Sequence, residues 1–190
     1  MPTSFDDIRH ATRLHQAQHG CEAYTFADGE GLIALVKAHQ PSRILELGTA
    51  LGFTACCLAQ ASPASTVDTI DRDHEHVSLA RANIHNAGLA ARVTVHEGDF
   101  AVVMKHLNNT YEAVFFDGLS PDAALIEQIR AMLRPGGLLI CANLIWANDE
   151  VLMSDLMDTG RWAPFGQIEG GATRVFSPQS RSRPLGDSVS

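Results

Sequence analysis

Short apolar segments alternate with helix-periodic stretches along most of this chain, and that alternation leaves few folds open to it. Residues 43–47, 66–70, 92–96, 111–116 and 138–145 read as strands; the last is a near-continuous apolar run, as a sheet centre requires when both its faces are covered. Between them, residues 53–61 and 73–87 carry helical spacing, with Val77, Ala80 and Ile84 on one face and Gly88 as a stop. Ser120-Pro121 opens a further helix with proline in its first position, Leu125, Ile129, Met132 and Leu133 form its apolar stripe, and Pro135-Gly136-Gly137 ends it. Two helices precede the first strand: residues 4–19, with Ser4 as cap and Gly20 as stop, and residues 29–39. Residues 162–168 and 172–177 are two late strands joined by Glu169-Gly170-Gly171, a hairpin-like connection. The pattern predicts a doubly wound α/β fold, a mainly parallel seven-stranded sheet with an antiparallel edge hairpin.

The 190 residues suit one domain, and 45% hydrophobic with 19% charged residues can build a full core. That domain is expected over residues 1–177, with the helices of residues 1–39 at its N-terminal side and a flexible Ser/Arg/Pro-rich tail over residues 178–190. Lys and Arg number 14 against 22 Asp and Glu, a formal net charge of −8, so the surface repels phosphate backbones and no basic run offers a nucleic acid a foothold. No stretch approaches the ~20 apolar residues of a membrane span, and the acidic start lacks the basic flank and apolar run of a signal peptide. Cys56 and Cys57 are neighbours within a helical stretch, and no Cys-x-x-Cys pair is present; reduced thiols in the cytoplasm are the expectation.

In a doubly wound sheet, ligands bind beyond the C-terminal strand ends. There the first strand runs into Gly48, whose residue type permits a tight turn, and Gly52 lets the chain approach a ligand before the helix begins. This Gly-x-x-x-Gly spacing is neither the Gly-x-Gly-x-x-Gly of dinucleotide sites nor a Walker motif, which disfavours a pyrophosphate cradle. Asp71, ending the second strand, is placed to accept hydrogen bonds from both hydroxyls of a ribose; its competing role is a helix cap. Asp99 has a turn as its competing role, and Met104, Leu107, Phe115 and Phe116 read as core.

Together, Glu30-Gly31, Leu45-Glu46-Leu47-Gly48, Gly52-Phe53-Thr54, Asp71, Gly98-Asp99-Phe100, Phe116-Asp117-Gly118, Leu133-Arg134-Pro135-Gly136-Gly137 and Asn143-Leu144-Ile145-Trp146 follow one another in a known order. In them the chain resembles the class I S-adenosylmethionine-dependent methyltransferases with their Rossmann-like fold. Among these it is similar to the small-molecule O-methyltransferases that include the catechol and caffeoyl-coenzyme A enzymes. The resemblance implies that Gly48 and Thr49 lie against the methionine part of the cofactor, that Glu46 and Thr54 help hold its amino and carboxylate ends, and that Asp71 binds the ribose. It implies Asp99 and Phe100 beside the adenine, and Asp117 beside the transferable methyl group, with Asp117 and Asn143 as the catalytic pair. Carboxylates suit a cationic sulfonium, and holding acceptor, methyl and sulfur in line supplies much of the acceleration.

Metal-dependent members of that group hold a divalent cation such as Mg²⁺ with an Asp after the fourth strand and an Asp-Asn pair after the fifth. Here Asp117 and Asn143 match, but Ala142 stands in the middle position and cannot ligate. The lysine that follows the first Asp in the catechol enzymes is also absent, Gly118-Leu119-Ser120 standing there instead. His10, His15 and His19 lie on an N-terminal helix placed to fold over the cofactor mouth, while His74 and His76 around Glu75 point to different helix sides and make no zinc motif. The implied partner is a small-molecule acceptor, with a homodimer as the assembly the resemblance allows. Rival readings keep the cofactor but act on nitrogen or RNA, use another arm of the cofactor, or bind it without catalysis; a NAD-dependent oxidoreductase would need the missing third glycine.

Overall fold

A computed structural model describes residues 5–21, 23–107, 110–144 and 150–179. Helices α1 (Asp6–His19) and α2 (Gly29–His39) lead into β1 (Arg43–Leu47), α3 (Phe53–Ala61), β2 (Thr66–Asp71), α4 (His74–Asn86) and β3 (Val93–Glu97). The chain continues through α5 (Phe100–His106), β4 (Tyr111–Phe116), α6 (Ala123–Met132), β5 (Leu133–Cys141), α7 (Glu150–Met157), β6 (Trp162–Ile168) and β7 (Thr173–Pro178). The seven strands form one sheet in the order β3-β2-β1-β4-β5-β7-β6. The first five run parallel, whereas β7 is antiparallel to both β5 and β6. The predicted fold class and edge hairpin are therefore the observed ones.

Alternation along the central strands divides the core between the two faces of the sheet. Ile44, Phe115 and Ile140 pack with Leu32, Val36, Leu58, Val77 and Ile84 of α2, α3 and α4. Their sequence neighbours Leu45, Phe116 and Leu139 pack on the other face with Ile126 and Ile129 of α6 and Leu156 of α7. Strand order reverses between the neighbouring strands β1 and β4, so the connections that leave their C-terminal ends run to opposite sides. That crevice is where the fold leaves room for a ligand.

Several boundaries differ from expectation for local reasons. Asp122, and not Ser120-Pro121, opens α6, its carboxylate accepting the Leu125 N–H at 2.7 Å. The fifth strand stops at Cys141, short of residue 145, because Asn143 turns the backbone left-handed (φ 63°). It also begins earlier, at Leu133, with the Pro-Gly-Gly segment bulged between the Tyr111 and Ala113 pairings. Helices α5 and α7 carry no expectation from the sequence: both are short, and Val102 and Val103 are poor helix formers that obscure the first. Pro178 completes β7, and the Gln179 N–H bonds to the Arg161 carbonyl, so residues 178 and 179, expected in the tail, belong to the edge of the sheet. The Ser4 cap, Ile145-Trp146 and residues 180–190 lie outside the described residues; Phe5 occupies the N-cap position of α1 without a side-chain bond. Among the described residues, no helix is long and apolar enough to cross a membrane.

Asp28 ties two distant parts of the chain to the sheet. One carboxylate oxygen caps α2 through the Gly31 N–H at 2.8 Å, and the other accepts the Glu169 N–H of the β6–β7 turn at 2.9 Å. Asp28→Ala removes both and should lower stability by about 2 kcal/mol, a cap plus a partly buried hydrogen bond. Urea unfolding measures it, and a loss below about 0.5 kcal/mol would show that the tie carries no weight.

Candidate active site

The C-terminal ends of β1, β2 and β4 and the N-terminal turns of α3, α4 and α5 surround a cavity of about 560 Å³. Its size falls within the range of small-molecule sites. Helix α1 contributes Thr12 to the wall, and the segment before α2 contributes Cys21, Tyr24, Thr25 and Phe26. The Thr25 hydroxyl is buried and unpartnered, an acceptor and donor held ready at the cavity edge.

The turn after β1 forms the cavity's tightest wall. Gly48 sits at φ 108°, and a Cβ there would come within 2.9 Å of the Asp117 carbonyl oxygen, so only glycine lets the exits of β1 and β4 lie side by side. Ala50 is also left-handed (φ 43°), and its N–H donates to Asp71 Oδ2 at 2.8 Å. Asp71 Oδ1 accepts the Asp73 N–H at 3.0 Å. Capping of α4 falls to Asp73, whose carboxylate accepts from the Glu75 and His76 N–H groups. Asp71 is thus no cap: it braces the turn and keeps further lone pairs for a ligand, at 13% side-chain exposure.

Beneath this turn lies a buried chain of polar groups. The Thr69 hydroxyl donates to Glu46 Oε2 and lies 2.5 Å from the Thr49 hydroxyl, while Glu46 Oε1 has no partner. Burial pushes the Glu46 carboxyl up to about 7, against the hydroxyls of Thr54 and Thr69 that pull it down, with the Asp71 charge pushing further up. Asp117 is likewise raised well above the ordinary carboxylate range by burial first, then by the charges of Glu46 and Glu169. Asn143 Nδ2 partly opposes this, donating to the Gly118 carbonyl at 2.9 Å and approaching Asp117 Oδ1 at 3.4 Å. Acids therefore outnumber bases around the cavity: Asp71, Asp73, Asp99 and Asp117 line it with one arginine, Arg72. A cation is the ligand charge that relieves this arrangement.

Gly48, Thr49, Thr54, Asp71, Asp99, Phe100, Asp117 and Asn143 all line the cavity, as the sequence leads one to expect. Glu46 stands behind that lining, fully buried. Gly52 does not approach the cavity: its missing side chain faces Ile84 and Ala80 of α4 at 3.4–3.5 Å, so the glycine serves helix packing and starts α3 with φ 92°. Asp99 takes the role of a cap, accepting the Ala101 and Val102 N–H groups at the start of α5, while remaining on the cavity wall. Phe116, expected only as core, packs edge-to-face on Phe100 and reaches the wall. Glu169 carries no signal in the sequence, because only the returning hairpin brings its charge near Asp117.

A divalent cation does not fit the residues at Asp117. Asn143 turns its amide N–H₂ towards the carboxylate, Ala142 has no side-chain oxygen to offer, and Asp117 is left as a thin donor set for Mg²⁺.

A family model of the methyltransferase domain matches residues 45–144, and the chain belongs to that family. It is similar to the catechol O-methyltransferase of Mycobacterium tuberculosis, 31% identical over 139 residues that cover 72% of this chain and 63% of the relative. The catechol O-methyltransferase of Niastella koreensis is 29% identical over 148 residues, 74% of this chain and 67% of the relative. The aligned parts thus amount to about two thirds of these relatives' lengths. In fold, the chain is similar to an O-methyltransferase of Streptomyces achromogenes solved with S-adenosylmethionine, with a TM-score of 0.79, 19% identity and coverage of 92% of this chain and 91% of that one.

The raised Glu46 carboxyl makes stability depend on pH with a definite sign. Its proton is held to about pH 7 in the folded chain and leaves the unfolded chain near 4.5, so the favourable neutral state is fully available below 4.5 and lost as pH climbs through 7. The loss amounts to roughly 3 kcal/mol at most, and Asp117 adds to it with the same sign. Urea unfolding from about pH 4.5 to about pH 7.5 should show wild-type stability falling and the Glu46→Gln variant falling distinctly less. Equal slopes would mean that Glu46 is already ionised at low pH.

Proposed function

We propose that this protein transfers the methyl group of S-adenosylmethionine to a hydroxyl oxygen of a small-molecule acceptor, without help from a divalent cation. The observation that carries this reading is the acid-walled cavity at the β1–β4 switch, with Asp71 free of capping duty. The donor set fits the cofactor: an orphaned carboxylate oxygen on Glu46, the Gly48 approach, and an acid at the end of β2. When bound, S-adenosylmethionine supplies an electrophilic methyl carbon on a cationic sulfur.

The residues of the chain take distinct parts. Asp71 accepts the two ribose hydroxyls with lone pairs left over from Ala50 and Asp73. Gly48 and Thr49 pass the methionine portion, and Glu46 with Thr54 receives its ammonium end. Phe100 and Asp99 border the adenine. Asp117, whose burial raises its basicity, accepts the acceptor's hydroxyl proton as the oxygen–methyl bond forms and the methyl–sulfur bond breaks. Asn143 holds Asp117 and the Gly118 carbonyl in place, and in-line positioning supplies much of the rest. The two catechol O-methyltransferase relatives favour hydroxyl oxygen over nitrogen as the acceptor atom. A net charge of −8 disfavours RNA. The cytoplasm is the compartment in which its free cysteines stay reduced.

Asp71→Asn should weaken binding of S-adenosylhomocysteine about tenfold or more, since a charged hydrogen-bond acceptor is worth ~1.5–3 kcal/mol. Asp117→Asn should slow turnover of a catechol-type acceptor by about 100-fold or more while leaving that affinity within about threefold. Mg²⁺ added after EDTA treatment should not raise the wild-type rate. Radiolabelled methyl transfer and calorimetry check all three, and a rate abolished by EDTA and restored by Mg²⁺ would refute the metal-free reaction.

A further inference from the structure

Helix α1, the link behind it and the first turn of α4 meet at the rim of the cavity and bring two histidines and a cysteine together. The donor atoms of His15, Cys21 and His76 all lie within 4.8 Å of one another. The three come from separate elements, so the cluster exists only in the folded chain. His15 and His76 are buried, with rings edge-to-face at 5.3 Å, and Cys21 is a half-buried free thiol.

A second observation points to a ligand here. His76 Nε2 is buried without a hydrogen-bond partner, while Nδ1 of the same ring faces Asp71 Oδ1 at 3.6 Å. A buried ring nitrogen left unpaired is unfavourable, and its lone pair is what a metal ion takes. A carboxylate on the far nitrogen is the usual support of a metal-bound histidine, since it fixes the tautomer and orients the ring.

We propose that His15, Cys21 and His76 bind one Zn²⁺ ion, which straps α1 and its link onto α4 at the rim of the cavity. One thiolate and two imidazoles suit a borderline-soft transition metal and not Mg²⁺ or Ca²⁺, which take oxygen ligands. Zn–N bonds of about 2.0–2.1 Å and a Zn–S bond of about 2.3 Å place tetrahedral donors roughly 3.3–3.7 Å apart. Closure from the observed spacing therefore needs side-chain movements on the order of 1 Å. Binding displaces the Cys21 thiol proton to solvent, and three protein ligands leave the fourth position to water. Cys21 and His76 also line the cavity, so the ion would border its mouth and keep His76 directed at Asp71. This site is separate from Asp117 and Asn143 and does not depend on the methyl-transfer reading. A neighbouring grouping of His15, His19 and Glu75 has the same spread, but it is more exposed and has no thiol.

Titration of the metal-free full chain with Co²⁺ tests the proposal. One equivalent should bind with the strong visible bands of a tetrahedral ion and a thiolate-to-cobalt charge-transfer band, and Zn²⁺ should displace it. Cys21→Ser should abolish the charge-transfer band, and Cys21→Ser and His15→Gln should each weaken Zn²⁺ binding at least tenfold with unchanged far-ultraviolet circular dichroism. Only the faint spectrum of an octahedral ion in the wild type would overturn the site. So would tetrahedral bands that persist unchanged in Cys21→Ser, because they would move the ion to His15, His19 and Glu75.

Discussion

The hydrogen bond from the Ala50 N–H to Asp71 Oδ2 is the contact on which the rest of the site depends. It joins the turn after β1 to the end of β2 and holds Ala50 in a left-handed conformation that a residue with a Cβ adopts only at a cost. With that turn held, Gly48 lies against the Asp117 backbone, and the exits of β1, β2 and β4 share one wall. Asp71 performs this bracing with one lone pair per oxygen and keeps the others, so the same carboxylate shapes the cavity and can read its ligand.

Behind the turn, the fold accepts an unfavourable electrostatic state. Glu46 is fully buried with one oxygen unpaired, Asp117 is pushed up by burial and by Glu46, and the Glu169 charge adds to it from the far hairpin. Two hydroxyls, of Thr54 and Thr69, relieve part of this without neutralising it. Groups held that way interact more favourably with an incoming cation than a screened surface carboxylate can, because little solvent reorganises when the charge arrives.

Much of this architecture is legible in the amino-acid sequence. Periodicity exposes the strands and the larger helices, because β1, β4 and β5 carry apolar runs, β2 and β3 interleave apolar with polar residues, and α4 and α6 carry a clear stripe. Glu46, Gly48, Asp71 and Asp117 can be placed because each ends or adjoins a strand, where the fold puts its ligands. Sequence falls short where a residue's role depends on what tertiary structure brings beside it. Gly52 has the spacing of a ligand-contacting glycine, yet Ile84 from α4 occupies the space its side chain would take. Asp73, two residues past Asp71, takes the capping role that competes for Asp71. His76 gives no zinc signal beside Glu75 and His74, since its companions His15 and Cys21 lie more than fifty residues earlier in the chain. Asp28 and Glu169 meet only because the last hairpin folds back onto the start of α2.

Acids raised by burial and relieved by a sulfonium require that the charged cofactor gain more from rising pH than its neutral product does. Calorimetric affinities for S-adenosylmethionine and S-adenosylhomocysteine between about pH 5.5 and about pH 8 measure this directly, since the two ligands differ by one methyl group and one charge. The ratio of affinities should shift towards S-adenosylmethionine by at least about fivefold as the raised carboxyl of Asp117, beside the transferable methyl group, ionises. A ratio that stays flat across that range would contradict a sulfonium held by these carboxylates.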